Sequence, residues 1–278
     1  MTISEHRRLA EQLLALHRGP LLILPNAWDA FSAALMETVG FKAIATTSAG
    51  VSWSLGYADG ERIPWHDMLA AVERIVATVK VPVTADIEGG FSSTASDLIY
   101  RIEEVIGVGA CGVNLEDGAG ASHQPRPLEE ACERIAAARQ TATKLGVPLV
   151  INARTDVYLS AGSNDPSLLD SALARAKAYI AAGADCVYPI GLLDLEQIKR
   201  FVSELKHPVN VHGRRGTPPI PVLQAAGVAR VSTATTPAVF IAGALSDAMT
   251  KLIQSGSFDH FTSSFDYATL QKLFPKSP

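Results

Sequence analysis

The sequence predicts an α/β protein built as a single (β/α)8 barrel, and three observations carry that prediction. Eight short apolar, β-branched runs recur along the 278 residues. Segments with helical periodicity separate them. Polar and acidic residues collect just after the apolar runs, where a barrel of parallel strands carries its chemistry. The barrel is expected over about residues 20–245, with a helical tail over 246–278 in the same domain.

The eight runs cover 21–25, 42–47, 81–86, 111–116, 148–154, 185–189, 208–212 and 229–234. Gly, Pro or a polar residue bounds each, as expected for strands buried on both faces. The helix over 30–39 opens on Asp29 as N-cap and stops at Gly40. Further helices are expected over 65–79, 94–106, 128–145, 168–182, 195–204, 220–226 and 237–254. The N-terminal stretch MTISEHRRLAEQLL is polar with a helical pattern. A doubly wound sheet is the rival architecture, but it usually needs fewer strands and often a Gly-rich phosphate turn. Gly89-Gly90 and Gly118-Ala119-Gly120 do not match G-x-G-x-x-G.

Composition narrows the function. At 47% hydrophobic and 19% charged, the chain can bury a large core. Lys and Arg total 24 against 28 Asp and Glu, for a net charge of −4. A nucleic-acid partner is therefore not expected, since such proteins carry a basic surplus. No run approaches the roughly 18 apolar residues of a membrane span. The N-terminus lacks the apolar stretch of a signal peptide. Cys111, Cys132 and Cys186 form no Cys-x-x-Cys pair. Reduced thiols in a cytoplasm fit that usage.

The strand ends hold the chemistry. The second ends in Thr46-Thr47-Ser48-Ala49-Gly50, with Asp59 on the loop beyond. The third ends in Asp86-Ile87-Glu88-Gly89-Gly90, and the fourth in Asn114-Leu115-Glu116-Asp117. The fifth ends in Asn152-Ala153-Arg154-Thr155-Asp156. Neighbouring strands thus deliver Asp86, Glu88, Glu116 and Asp117 to one rim. The Asp-x-Glu spacing is expected to aim Asp86 and Glu88 to the same side of their strand. Crowded carboxylates either hold protons or hold a cation. An all-oxygen cluster suits Mg2+ or Mn2+ better than Zn2+. Arg154, beside it, is placed to clamp a carboxylate or phosphate, or to pair with Glu116 or Asp156. Thr47 and Ser48 offer hydroxyls and amides to an anion.

His123 follows the fourth strand and His212 ends the seventh, so both are candidate acids or bases. Lys42 and Lys80 stand at strand beginnings, which leaves no lysine for a Schiff base. No G-x-S-x-G elbow and no zinc-spaced His pair occurs. Gly213-Arg214-Arg215 with Thr233-Ala234-Thr235-Thr236 form a possible phosphate site after the last two strands.

The ordered set N-A-W-D-A (26–30), T-T-S-A-G (46–50), L-G-Y-A-D-G (55–60), A-D-I-E-G-G (85–90), N-L-E-D (114–117) and N-A-R-T-D (152–156) resembles the isocitrate lyase/phosphoenolpyruvate mutase superfamily. The resemblance runs from about residue 20 to 245. It implies a barrel of the phosphoenolpyruvate/pyruvate type that uses Mg2+ to make or break C–C or P–C bonds beside a carboxylate. It also implies a homo-oligomer, a tetramer or a dimer, with the eighth helix often swapped between subunits. Carried onto this chain, Asp86 would ligate the metal directly. Glu88, where Asp is commoner, and Glu116 would hold its waters, and Asp59 would join the same polar network. Thr47, Ser48 and Ala49 would bind a substrate carboxylate, Arg154 its acidic group, and Trp28 would wall the site.

One segment departs from that pattern. Isocitrate and methylisocitrate lyases carry a Lys-Lys/Arg-Cys-Gly-His loop after the fourth strand. Here Gly118–Pro127 is shorter and has neither Cys nor Lys. The longer Asn-bearing loop of phosphonomutase-like members is missing too. The expected function is a Mg2+-dependent lyase acting on a small 2-oxo or 2-hydroxy acid, with Asp59, Glu116 and Arg154 as the catalytic set. P–C chemistry and a barrel that only binds an acidic metabolite are the alternatives. The tail concentrates Phe258, Phe261, Phe265, Tyr267 and Phe274, which would dock on the barrel or on a neighbour.

Overall fold

A computed structural model describes residues 2–274. Helix α1 (Ile3–Leu16) precedes β1 (Leu22–Leu24) and β2 (Asn26–Ala27). Then come α2 (Ala30–Val39), β3 (Ile44–Thr46), α3 (Ser48–Ser54), α4 (Trp65–Thr78), β4 (Val83–Asp86) and α5 (Ala95–Gly107). Next are β5 (Gly112–Glu116), a small hairpin of β6 (Gly118–Ala119) and β7 (Gln124–Pro125), and α6 (Leu128–Leu145). The chain continues through β8 (Val150–Thr155), α7 (Val157–Ala161), α8 (Leu168–Ala182), β9 (Cys186–Pro189) and α9 (Leu195–Leu205). It ends with β10 (Asn210–His212), α10 (Ile220–Ala225), β11 (Arg230–Ser232), α11 (Thr236–Ser255) and α12 (Tyr267–Gln271).

The parallel strands close on themselves. One sheet has the order β1-β11-β10 and another β2-β3-β4-β5-β8-β9. The two join where β1 runs into β2, and again at a parallel bridge from Val187 to Val209. Pro25 divides the first strand because it has no N–H to give the ladder. Every one of the eight expected strands and eight expected helices is present, with ends shifted by at most a few residues.

Local chemistry explains the helix ends. Asp29 and Ser32 form a reciprocal capping box at α2, and Gly40 closes that helix in the left-handed region at φ 105°. Strand alternation divides the side chains. Val113, Ile151, Val187, Val211 and Val231 are buried in the layer between barrel and helices. Asn114, Asn152 and Asn210 face inward, where polar partners meet them. Helix α1 buries Leu9, Ala10 and Leu13 at the N-terminal end of the barrel, and His6 Nε2 meets the Ala110 carbonyl at 2.8 Å. None of the helices is long and apolar enough to cross a membrane among the described residues.

Candidate active site

The C-terminal strand ends enclose a small pocket. Ser48, Asp59, Glu61, Glu88, Glu116, His123 and Arg154 line it, together with four glycines. Thr47, Ala49 and Trp28 lie outside this lining. Ser48 is the first residue of α3 rather than part of an open strand-end loop, and Thr47 is that helix's N-cap. Trp28 packs against α3 so closely that a Cβ on Gly50 would meet Trp28 Cβ at 2.8 Å.

Asp86 sits level with Asn114, one inward position below Glu116. Ser48 gives it both a backbone N–H (3.1 Å) and its hydroxyl (3.0 Å), each to Oδ2. The anion held by these donors is thus Asp86 itself. A chain of carboxamides supports it from below, with Asn152 donating to Asn114 and Asn114 donating to Asp86.

Glu88 reaches the pocket by a different route from the expected alternation. The strand ends at Asp86, and Glu88 stands beyond it in the left-handed region, at φ 51°. Its Oε2 accepts the Glu61 backbone N–H at 2.8 Å. Its Oε1 is buried without a partner among the described residues. Burial, then Asp59 and Asp86, push its carboxyl up to about 8. Asp59 is also raised, by burial and by Asp86.

Arg154 lies on the other side. Its Nε and Nη2 grip Asp156 at 2.6 and 2.9 Å, and its Nη1 meets Glu116 at 2.5 Å. Burial works against the Arg154 charge, but Glu116 and Asp156 outweigh it and hold the guanidinium protonated. Burial also raises Glu116 strongly, against the pull of Arg154. His123 Nδ1 meets Asp156 Oδ2 at 3.0 Å, so one carboxylate serves both the arginine and the imidazole. Gly118 is required there, because a Cβ at that position would collide with Asp156.

Donor atoms of Glu116, His123 and Asp156 lie within 4.8 Å of one another, a separation a metal could bridge. The Arg154 guanidinium already bonds both carboxylates of that trio. The cation-poor part of the site is instead Asp59, Asp86 and Glu88, with an orphaned carboxylate oxygen. That corner suits a hard divalent ion, with Asp86 and Glu88 as the acids that Arg154 does not bond.

Asp117 does not join the rim. It alternates outward from Glu116 and is buried against Tyr179 Oη at 2.5 Å, Arg175 Nη1 at 3.2 Å and the Asp156 N–H at 2.8 Å. His212 is half-buried at the opposite side of the barrel mouth, and burial with Arg214 and Arg154 lowers it to about 4. It is therefore neutral at ordinary pH. Arg214 and Arg215 are exposed, while Thr233 and Thr236 spend their hydroxyls on Asn26 and on the Gly213 carbonyl. Sequence reasoning passed over Glu61 and Arg134, which support the site from loop and helix. Neither carries a motif; only the folded chain brings them to residues 88–92.

A closed parallel barrel with acids and an arginine gathered at the C-terminal ends of its strands has the layout of a barrel enzyme. Comparison places the chain within that class. The family model for phosphoenolpyruvate phosphomutase matches residues 13–253. The chain belongs to that family, in the superfamily of isocitrate lyases and phosphoenolpyruvate mutases. It is 32% identical over 199 residues to 2-methylisocitrate lyase of Escherichia coli, covering 69% of this chain and 64% of that protein. A Burkholderia cenocepacia crystal structure, described provisionally as a lyase or mutase, superposes with a TM-score of 0.90 at 34% identity over 98% of both chains. Phosphoenolpyruvate phosphomutase from Streptomyces platensis subsp. rosaceus superposes with a TM-score of 0.82 at 26% identity, over 95% of this chain and 94% of that one.

Proposed function

We infer that the protein is a Mg2+-dependent lyase that cleaves a C–C bond beside a carboxylate in a small 2-oxo or 2-hydroxy acid. One observation carries the reading. A paired arginine, Arg154, faces a group of crowded acids that has no cation of its own. When bound by Asp86, Glu88 and Glu116, Mg2+ would supply positive charge to the substrate carboxylate and its neighbouring oxygen.

The chain's own residues account for the remaining steps. Arg154 binds the acidic end of the substrate and stabilises the enolate charge left as the C–C bond breaks. Its two carboxylate partners hold the guanidinium plane in place. For a 2-hydroxy dicarboxylic acid, the Asp59 carboxylate takes the hydroxyl proton as that carbon becomes the carbonyl of a 2-oxo acid, and the electrons of the breaking bond pass to the other fragment, whose own carboxylate carries them as an enolate. His123, oriented by Asp156, gives a proton to the enolate carbon. That assignment puts an imidazole in the role that the superfamily's lyases give a loop cysteine. No covalent intermediate is needed.

The test is a coupled pyruvate-release assay with Mg2+, with and without EDTA. Oxaloacetate, a methylisocitrate-type acid and phosphonopyruvate are the substrates. EDTA-sensitive consumption of one carbon acid, lost in Asp86→Ala with the barrel still folded, is expected. Turnover of phosphonopyruvate alone assigns P–C chemistry instead. Unchanged turnover in Asp86→Ala overturns the site.

Assembly forms part of the same proposal. Helix α11 buries none of its residues, and Phe240 is 71% and Ile253 86% exposed. On the barrel, Ile23 of β1 is exposed as well. These surfaces support a homo-oligomer in which α11 packs on a second copy. Sedimentation giving a monomer at micromolar concentration would exclude it.

A further inference from the structure

We propose that Arg134, on the outer helix α6, is a positioning residue that locks the turn carrying Glu88 and so sets the site's affinity for a divalent cation. The cation part of this inference rests on the metal reading above; the clamp does not.

The turn after β4 is costly to hold. Glu88, Gly90 and Phe91 have φ values of 51°, 95° and 48°, three left-handed residues among four. For a residue with a Cβ, each such conformation costs about 1–3 kcal/mol and persists only where its surroundings dictate it. Arg134 supplies much of that constraint. Although it is 1% exposed, it forms no ion pair with a carboxylate among the described residues. Instead its Nη2 donates to the Gly89 carbonyl, to the Ser92 carbonyl at 3.2 Å and to Ser92 Oγ at 2.9 Å. Its Nε and Nη1 have no partner among the described residues.

A buried arginine using one nitrogen on three acceptors of a single turn has no other visible task. Burial weakens its charge, with Arg126 adding to that effect. Glu61 completes the lock from the opposite side. Its N–H binds Glu88 Oε2 and its Oε1 accepts the Phe91 N–H at 2.9 Å. The Glu88 carbonyl accepts the Glu116 N–H at 3.0 Å. Helix α6, β5 and the loop after α3 therefore converge on the residue whose carboxylate oxygen is left free. Partners that orient a ligand from behind typically alter metal affinity by about 10–100-fold when lost.

The test compares wild type, Arg134→Met and Arg134→Lys. Methionine fills the space with no donor; lysine restores a donor cation. Two readouts are taken on the intact protein: amide hydrogen exchange over residues 88–92, and Mn2+ binding by electron paramagnetic resonance. Arg134→Met is expected to exchange about tenfold faster over 88–92 while the other barrel strands stay protected. It should bind Mn2+ at least about tenfold more weakly, with lysine recovering part of both losses. Unchanged exchange in folded Arg134→Met overturns the clamp. Faster exchange with unchanged Mn2+ affinity overturns its role in binding. Wild-type protein that binds no Mn2+ removes the metal reading, and the exchange result alone then decides the clamp. If Arg134→Met fails to fold, Ser92→Ala removes one acceptor and leaves the arginine; its exchange is read in the same way.

Discussion

Helices α6 and α11 are similar in length, at 18 and 20 residues, and opposite in use. Helix α6 buries Ala131, Arg134, Ile135, Ala138, Thr141 and Ala142 against α5, α8 and β8. Helix α11 is the more apolar of the two and buries nothing. Hydrophobic content therefore does not decide which helix seals the barrel. Helix α6 carries small residues at helical spacing, which let it approach the strands and bring Arg134 to the turn. Helix α11 carries Phe240, Ile241, Leu245 and Ile253 on exposed positions, an arrangement that suits a second surface.

The largest effect expected from breaking this contrast comes from Ile135→Asp. It places an unpaired charge on the sealed face of α6 and should cost more than about 3 kcal/mol, read as loss of the folded circular dichroism signal. Tyr179→Phe, on the neighbouring helix α8, strips a hydrogen bond from buried Asp117. It should lower stability by about 1–3 kcal/mol in urea.

Glu88→Gln should give a pH-dependent effect. The folded carboxyl titrates near 8 and an ordinary glutamate near 4.5, so the folded state binds the extra proton between those values. Metal-free stability then falls as pH rises from about 4.5 to 8, and the deficit persists above that. Glutamine removes the deficit, so Glu88→Gln should be more stable than wild type at pH 9 and level with it at pH 4. A thermal melt at both pH values checks this; a parallel offset at both would refute it. The smallest effect on the fold belongs to α11. Phe240→Asp should leave the dichroism of the chain intact and its folding energy within about 0.5 kcal/mol. Its sedimentation mass should fall if that face meets a second copy.

The barrel was readable because its strands are short, β-branched and separated by amphipathic helices, several of which end on glycine. Those signals are local. The added elements were not readable, because α3, α7 and the hairpin are only two to seven residues long. Segments of that length carry too little periodicity to register. The acids and Arg154 were visible as strand-end residues, and the structure draws Ser48, Asp59, Glu88, Glu116 and Arg154 around one pocket. The path of Glu88 was not visible, since it depends on a left-handed turn rather than on strand alternation.

By itself, the sequence determined the order of strands and helices and which residues stand at the strand ends. Both follow from periodicity, caps and the two-residue repeat of a strand. Tertiary structure alone decided the partners: Asp156 shared by Arg154 and His123, Asp117 turned away to Tyr179, and Arg134 brought from α6 to a turn more than 40 residues earlier. Apart from Arg154 with Asp156, these contacts join residues 33 to 62 positions apart, and no local pattern encodes such distances. Closing the barrel and burying polar groups that must then find partners is what selects them.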